Sequence, residues 1–406
     1  MRNRRSGLTK PLVWTLAILV GIVIVALAAA CLAYPPRYVF RVLAWRGSDV
    51  FDWQKFPEHR LEAAPTAFGF ERSLDDRVPA LLASLAGADD WEAFLEENQT
   101  QAFLVIQDGN VLYEEYFNDT QRDSIVTSFS VAKSFTSALI GIAIDEGYVS
   151  SVNDPVTDYL PELSSRDSRF KNITIRDLLM MSSGLEYEED RFLGLNGDDA
   201  LTTYYPDQRQ LALENTNIID PPGQYFLYNK YHPQLLGMIL ERTTGVSVTE
   251  YLQEKIWDPL GMEFDGSWSI DSEASDFEKM ETGVNARAID FAKFGHLFLN
   301  DGTWNGRQVI SSKWIAESTQ PYLPKDYAGY YPEDWFSGLP GQGYYKYMWW
   351  GIAIEPGSYD FVAAGDKGQF IYVAPRKALV IVRNGIDYGI PFDAWFDLFY
   401  RFANES

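Results

Sequence analysis

The sequence predicts a mixed α/β (α+β) fold: an antiparallel sheet built from both ends of the chain and flanked by helices, an inserted and mainly helical lobe, and a transmembrane helix in front. Three observations support this prediction. Residues 11–34 are apolar and uncharged, strand-like runs occur near both ends of the remaining chain, and residues from about 150 to 300 have mainly helical patterns. Strands on either side of a helical middle bury their apolar faces by joining one sheet. The helices then form a second lobe, and a cleft separates the two lobes.

The N-terminal segment has the pattern of a membrane anchor. Residues 1–34 contain four basic and no acidic side chains, and the 24 residues from Pro11 to Tyr34 carry no charge. A helix of this length crosses ~30 Å of hydrocarbon and the basic residues stay inside, so we expect a single-pass protein of the cytoplasmic membrane with its folded part outside. Two alternatives remain open: a cleaved signal peptide, whose apolar core is usually only about 7–15 residues long, and a lipoprotein cleavage site before Cys31.

We divide the chain into residues 1–34 as cytoplasmic tip and anchor, residues 35–75 as a juxtamembrane connector without clear periodicity, and residues 76–406 as one folded domain. Residues 327–350, dense in Tyr, Trp and Gly, are expected to wall a pocket or to pack as a loop over the sheet. The elements expected in order are a helix at Val78–Asn98, hairpin strands at Ala102–Gln107 and Val111–Phe117, a buried helix at Ser130–Gly147, a helix at Leu235–Thr244, a capping box at Ser247 and Glu250, strands at Tyr359–Ala364, Gln369–Val373 and Ala378–Arg383, and a helix at Asp393–Ala403.

Composition argues against several classes of protein. The single cysteine, Cys31, leaves no disulfide framework and no cysteine-based zinc site, and the three histidines are scattered singly, so we expect no bound metal. The net charge is −23, and it is −27 for residues 35–406 alone. A nucleic-acid partner is therefore not expected, because phosphate binding needs a basic surface.

The sharpest chemical signal is Ser130-Val131-Ala132-Lys133 at the start of the predicted buried helix. Three residues apart on a helix, the lysine amine can take the serine proton while first-turn N–H groups stabilise negative charge. A second Ser-x-x-Lys, Ser168 to Lys171, lies in a polar stretch that cannot desolvate the lysine. The structural alternative makes Ser130 an N-cap and Lys133 a surface cation, but Lys133 is the only charged residue between Ser130 and Ile144 in a run that otherwise looks buried.

Five segments in order resemble the serine β-lactamase-like hydrolase superfamily: SFSVAKSFTSALIGIAIDEG, ITIRDLLMMSSGLEYEED, PPGQYFLYNKYHPQLLGMILERTTG, VNARAIDFAKFGHLFLNDG and GDKGQFIYVAP. The chain looks nearest to the class C β-lactamase-related branch that includes esterases and 6-aminohexanoate-dimer hydrolases. The resemblance implies a β-lactamase/transpeptidase-like fold with the helical lobe at about residues 150–300. It also implies acyl transfer without a metal or an organic cofactor.

By this resemblance Ser130 is the nucleophile and Lys133 its proton acceptor. Tyr228, in Tyr228-Asn229-Lys230 (the Tyr box), falls where the family has a Tyr-x-Asn or Tyr-x-Ser motif whose phenol helps move the proton to the leaving group. Tyr116 also begins a Tyr-x-Asn sequence, but it lies on a predicted strand before the nucleophile. Order along the chain therefore favours Tyr228.

The family's Lys-Thr-Gly or His-x-Gly box is represented by Asp366-Lys367-Gly368-Gln369 (the third box). The resemblance implies that Gly368 lets substrate approach the strand, and that the N–H groups of Gln369 and Ser130 form the oxyanion hole.

Two residues depart from the family pattern, Lys230 in the Tyr box and Asp366 in the third box. We expect an exchange, in which Lys230 supplies the positive potential near Lys133 and Tyr228 while Asp366 fixes Lys230. The alternative is that both changes are tolerated because the site no longer hydrolyses substrate quickly.

The sequence therefore predicts a membrane-anchored serine hydrolase that cleaves a small-molecule carboxylic ester or amide through an acyl-enzyme on Ser130. Two other classes stay open. One is a penicillin-recognising D,D-peptidase or β-lactamase, against which the missing third-box cation argues; the other is a catalytically weak binding protein.

Overall fold

The computed structural model describes residues 10–189, 196–332 and 336–406. Contacts divide the chain into two compact units: residues 1–48 with 188–206, and residues 49–187 with 207–406. The helices are α1 (Lys10–Ala33), α2 (Pro36–Trp45), α3 (Arg77–Ala86), α4 (Trp91–Glu97), α5 (Ala132–Asp145), α6 (Pro161–Arg166), α7 (Ile175–Leu179), α8 (Asp198–Tyr204), α9 (Gln208–Glu214), α10 (Tyr231–Thr244), α11 (Val248–Leu252), α12 (Asp258–Leu260), α13 (Ala288–Leu299), α14 (Ser312–Thr319), α15 (Tyr327–Tyr330) and a C-terminal helix (Phe392–Glu405).

The strands form one large and one small sheet, together with a short two-stranded ribbon. Their bounds are β1 (Glu58–Leu61), β2 (Glu71–Arg72), β3 (Thr100–Gln107), β4 (Asn110–Tyr116), β5 (Val126–Thr127), β6 (Gly266–Ser269), β7 (Val284–Ala286), β8 (Thr303–Trp304), β9 (Arg307–Gln308), β10 (Gln342–Lys346), β11 (Trp349–Glu355), β12 (Ser358–Gly365), β13 (Gln369–Ala374) and β14 (Leu379–Gly385).

The large sheet confirms the prediction that both ends of the chain build one sheet. Its order is β10-β11-β12-β13-β14-β3-β4-β2, antiparallel except for the short β2–β4 pair. The ends of the chain meet where β14 pairs with β3, from Leu379 opposite Gln107 to Arg383 opposite Phe103. These central strands are buried on both faces. Helix α13 covers one face, and aromatic rings of α4 and the C-terminal helix cover the other.

Several predicted elements are confirmed with small shifts, and one is wrong. The turn Asp108-Gly109 has positive φ at both residues, as a tight hairpin requires. The single helix expected over Val78–Asn98 is two helices, α3 and α4. Gly87, with φ +69°, ends α3, and the Asp90 side chain caps α4 by accepting the N–H of Ala93.

Two regions are more regular than the sequence suggested. The segment expected as a connector contains α2, β1 and β2, and β1 joins the small sheet, whose order is β1-β6-β7-β5. The aromatic segment at 327–350 includes β10 and the start of β11, which lie at one edge of the large sheet. Tyr344, Tyr345, Trp349 and Trp350 lie in these strands, whereas Tyr327 and Tyr330 lie in α15. Residues 333–335 of the segment lie outside the described residues.

The helical middle of the chain is confirmed. Helix α5 is buried from Ala132 to Ala143 and packs against α10 and α14. The predicted capping box is present, because the Ser247 hydroxyl accepts the N–H of Glu250 while the Glu250 carboxylate accepts the N–H of Ser247. Ser130 lies two residues before α5, in a short turn that contacts β12 and β13, so the predicted nucleophile lies where the helical region meets the sheet.

Candidate active site

Ser130 and Lys133 lie in contact at the start of α5. A short 3₁₀ turn, Phe129–Val131 (the Ser130 turn), leads directly into the helix. The Lys133 Nζ donates to Ser130 Oγ at 2.8 Å and to the carbonyl of Glu281 at 2.8 Å, and the Lys133 side chain is 1% exposed. Serine and amine thus share a hydrogen bond in a water-poor place, which is the geometry that a serine nucleophile with a lysine base requires.

The second Ser-x-x-Lys has none of these features. Ser168 and Lys171 lie in a 3₁₀ segment, Ser168–Asn172, and both are exposed to solvent. Solvent surrounds the Lys171 amine, so it lacks the apolar environment that encloses Lys133. The pair is therefore a surface feature and a natural control for experiments on Ser130.

The Ser130 turn is held in a strained and closely packed conformation. Phe129 has φ +42°, which is uncommon for a residue with a side chain. A Cβ added to Gly365 would lie 2.4 Å from the Ser128 carbonyl and 3.0 Å from the Ser130 nitrogen. Strain of this kind persists only when the surroundings enforce it, and here the end of β12 packs directly on the turn.

Gly365 also links the Ser130 turn to the third box. It pairs with Gln369, the first residue of β13, so the backbones of Ser130 and Gln369 lie on either side of it. The Gln369 side chain is fixed by its own bonds, donating to the Gly385 carbonyl at 2.7 Å and accepting from Asn384 at 3.0 Å. These contacts place the two predicted oxyanion donors close together on rigid elements.

Tyr228 lies beside the amine. The Lys133 Nζ is 5.0 Å from the centroid of the Tyr228 ring, and this ring stacks on Trp350 at 6.0 Å and meets Tyr345 edge to face. The next residue, Asn229, is fully buried and donates to the Leu185 carbonyl at 3.3 Å, which anchors the Tyr box. The alternative tyrosine has a structural role: Tyr116 donates to the adjacent Glu114 carboxylate.

His232, one of the three scattered histidines, also holds the Tyr box. Its ring bonds the Ser183 hydroxyl at 2.6 Å and approaches the sulfur of Met181, whose carbonyl accepts the N–H of Leu227. Burial lowers the pKa of His232 to about 3, so the ring is neutral at physiological pH. This histidine therefore acts as a brace next to Tyr228 and not as a charged group.

Gly368 has a different neighbour from the one expected. Its φ is +75°, and a Cβ there would lie 1.9 Å from the Arg383 guanidinium. The glycine thus admits a buried arginine from β14, and the approach of substrate to the strand at Gly368 stays a prediction. The physical reason is the register of the β13–β14 pair, which puts Arg383 opposite Phe370 just beyond the third box.

Arg383 is the residue of this region that sequence reasoning missed. It is fully buried and donates to the carbonyls of Gly368 at 2.8 Å, Asn98 at 2.8 Å and Asp387 at 3.1 Å, and its guanidinium lies 4.1 Å from the centroid of the Trp395 ring. Burial lowers the pKa of Arg383 to about 9. A lone cation in the apolar strand LVIVRNG was the available signal.

Lys230 and Asp366 are not brought together as expected. Asp366 is exposed, and its carboxylate accepts the backbone N–H of Lys367 at 2.8 Å. Within residues 10–189, 196–332 and 336–406, no ion pair joins Asp366 to Lys230. Burial is the largest cause of the raised pKa of Tyr388, and the charges of Asp366 and Tyr228 raise it further. Asp366 therefore still borders the site.

In the described part of the chain, no three His, Cys, Asp or Glu side chains are grouped as metal ligands. A family model described as Beta-lactamase matches residues 92–384, which include every predicted site residue. The chain belongs to the Beta-lactamase family. It is a serine hydrolase of the β-lactamase fold, as the sequence predicted.

Relatives of this Beta-lactamase-family chain have several activities by name. It is 28% identical over 381 residues to a 6-aminohexanoate-dimer hydrolase of Paenarthrobacter ureafaciens, covering 86% of this chain and 90% of the relative. It is 26% identical over 312 residues to penicillin-binding protein 4 of Amycolatopsis lactamdurans, covering 70% and 77%.

Solved structures agree on the fold. A candidate 6-aminohexanoate-dimer hydrolase from Bacillus anthracis superimposes with a TM-score of 0.72 at 22% identity, over 91% of this chain and 94% of that one. A class C β-lactamase in complex with cefoxitin gives 0.60 at 15% identity, over 81% and 99%. At these identities the likeness concerns the fold alone.

Proposed function

We propose that this chain is a membrane-anchored serine hydrolase that cleaves a small carboxylic ester or amide through an acyl-enzyme on Ser130. The observation that carries the proposal is the 2.8 Å hydrogen bond from the buried Lys133 amine to Ser130 Oγ. The pair lies at the N-terminal end of a buried helix, where backbone N–H groups favour developing negative charge.

The proposed reaction has two acyl transfers. Ser130 Oγ attacks the carbonyl carbon while Lys133 takes the hydroxyl proton, and the N–H groups of Ser130 and Gln369 stabilise the resulting oxyanion. Collapse of this intermediate breaks the ester or amide bond, and Tyr228 passes a proton to the departing oxygen or nitrogen. Water then attacks the acyl-enzyme, transfers its proton back through the same groups and releases the acid with free Ser130.

The third box supports a substrate without a carboxylate next to the scissile bond. Asp366 stands where relatives of the predicted family have a cation, and its acidic side chain is exposed. A carboxylate repels an anionic substrate group, so we propose neutral esters and short linear amides as the preferred class. The name of the Paenarthrobacter relative adds linear amides to the substrates that should be tried first.

The test is a hydrolysis panel run on the full chain. It comprises p-nitrophenyl esters, short linear amides, a chromogenic cephalosporin and D-Ala-D-Ala peptides, with Ser130→Ala as the variant and Ser168→Ala as the matched control. We expect ester or amide turnover in the wild type and in Ser168→Ala, and its loss in Ser130→Ala. Full activity in Ser130→Ala would overturn the mechanism.

A penicillin-recognising enzyme is the second candidate, favoured by the likeness to penicillin-binding protein 4. A fluorescent penicillin that labels the wild type stably, and not Ser130→Ala, would establish this alternative. Failure of a fluorophosphonate probe to label the wild type would instead indicate a catalytically weak binding protein.

Lys230 is proposed to supply positive potential to the site from the Tyr box. It occupies the N-cap of α10, two residues after Tyr228. A cation there stabilises the tyrosinate form that proton transfer passes through. Lys230→Ala should move the basic limb of the pH–rate profile upward, whereas an unchanged profile contradicts this role. Asp366→Ala, in the same assay, tests the other residue that departs from the family pattern.

Membrane attachment is proposed from α1, the one helix among the described residues that is long and apolar enough to cross a bilayer. Because a cleaved signal peptide has a similar composition, the decisive measurement is the N-terminal sequence of the mature protein together with resistance to alkaline carbonate extraction. An intact N-terminus in the membrane pellet supports a single-pass anchor. A mature N-terminus beyond residue 30 refutes it.

A further inference from the structure

The helix that follows α1 has an apolar face that the described protein leaves uncovered. Phe40 and Leu43 on α2 are 62% and 49% exposed. They are three residues apart and project from the same side of the helix. Arg37 and Ala44, which flank them, are exposed as well. Exposed apolar side chains grouped on one side of a helix, next to polar residues, are typical of sites that contact a membrane or a partner.

The opposite face of α2 is fixed within its own unit. Tyr38 and Arg41 are buried, and the Arg41 guanidinium donates to the carbonyl of Tyr204 in α8 at 3.0 Å. The Tyr38 ring packs on Tyr205, and the Trp45 ring meets Tyr204 edge to face, each at 5.9 Å. These contacts set the rotation of α2 about its axis, so Phe40 and Leu43 cannot turn inward.

The chain length between α1 and α2 limits where α2 can lie. Only Tyr34 and Pro35 separate Ala33, the last residue of α1, from Pro36, the first of α2. Three peptide units reach at most about 10 Å. The polar layer on each side of a bilayer is roughly 5–8 Å thick. If α1 crosses the membrane, α2 therefore begins inside the headgroup layer or at its outer edge.

We propose that α2 is an interfacial helix whose Phe40 and Leu43 insert at the headgroup–acyl boundary of the outer leaflet, with Arg37 at the level of the phosphates. The occupant of the exposed face is thus the lipid surface. This inference rests on the proposed membrane anchoring by α1. An apolar side with a flanking cation is the pattern of helices that lie in the plane of a membrane interface.

The buried face of α2 contacts residues 204 and 205, which would bring this part of the chain close to the membrane surface. Residues 188–206, which include α8, belong to the same compact unit as α2. This segment follows Glu186, whose carbonyl accepts the side chain of Asn229 in the Tyr box at 3.4 Å.

The experiment measures how deep single labelled positions lie in a bilayer. Because Cys31 is the only cysteine, Cys31→Ser gives a clean background for Phe40→Cys, Leu43→Cys, Ile22→Cys and Lys313→Cys, each labelled with an NBD fluorophore. The full chain is reconstituted in phosphatidylcholine–phosphatidylglycerol vesicles, and quenching is measured with shallow doxyl lipids and with aqueous iodide. Ile22 reports on α1, and the exposed Lys313 gives the water-phase reference.

We expect doxyl quenching at positions 40 and 43 to be at least twofold stronger than at 313, with iodide quenching at least twofold weaker. Quenching at 22 by lipid, combined with iodide accessibility at 40 and 43 equal to that at 313, overturns the interfacial helix and leaves the anchor intact. Iodide accessibility at all four positions overturns both the anchor and this proposal. A Phe40→Leu variant labelled at position 43 tests whether loss of the phenyl ring itself changes the depth of the helix. Its doxyl and iodide quenching should equal that of the chain labelled at 43 with Phe40 in place.

Discussion

Replacing Gly365 with alanine should damage the proposed oxyanion hole without touching a catalytic side chain. The added Cβ would lie 2.4 Å from the Ser128 carbonyl and 3.0 Å from the Ser130 nitrogen, whereas ordinary contact starts at 3.4 Å. Both of these are backbone atoms, and the third near atom is the Phe129 Cβ at 3.1 Å. The Ser130 turn or the end of β12 therefore has to move by about 1 Å. The displaced group is one of the two proposed oxyanion donors.

The magnitude follows from that displacement. Misplacement of a catalytic group by about 1 Å costs on the order of 100-fold in rate, or about 2.7 kcal/mol of transition-state stabilisation. Overpacking at a buried position lowers the free energy of unfolding by about 1–3 kcal/mol. We therefore expect Gly365→Ala to fold with reduced stability and to lose activity far beyond the unfolded fraction.

The assay is the second-order labelling rate with a fluorophosphonate, together with kcat/KM on an ester that the wild type cleaves and urea unfolding of the same samples. Gly69→Ala is the matched control, because a Cβ there meets nothing within 4 Å. Gly69→Ala should have the same labelling rate, kcat/KM and free energy of unfolding as the wild type, within error. Gly365→Ala with rates within threefold of the wild type would refute the placement of the oxyanion donors.

Three further outcomes are expected. Tyr228→Phe should lower kcat by about 10²–10⁴ through loss of proton transfer, with unchanged stability because the ring can still stack on Trp350. The hydrogen bond to Glu278 raises the pKa of His59 from 6.5 to about 9, so the free energy of unfolding should fall as pH rises from 6.5 through 9, and fall less in His59→Gln; equal slopes contradict this. Arg383→Met should lower the free energy of unfolding by ~3 kcal/mol or more in urea titrations, because several carbonyls lose their buried donor.

The contact between Ser130 and Lys133 was predictable from sequence because it is local. Ser130 and Lys133 are three residues apart on one helix, and the apolar run around them predicted the burial that the structure shows. The hairpin at Asp108-Gly109 and the capping box at Ser247 were predictable for the same reason, since each is specified within four residues.

What the sequence did not predict depends on register and packing between distant segments. Arg383 reaches Gly368 only because β13 and β14 pair as they do, and the role of Gly365 appears only when β12 packs on the Ser130 turn. The missing pair of Lys230 and Asp366 has the same origin. Residue types suggested an exchange of charges, but the third-box turn directs the Asp366 carboxylate to its own backbone.

The pairing of β3 with β14 also sets a time scale for folding. The Arg383 side chain donates to Thr100, a residue 283 positions earlier in the chain. At about 5–20 residues per second, roughly 15–60 s of synthesis separate the two strands. Until β14 arrives, β3 presents an apolar edge with only β4 beside it. Residues 379–406 therefore complete the large sheet, and a chain truncated before β14 should be degraded by quality-control proteases.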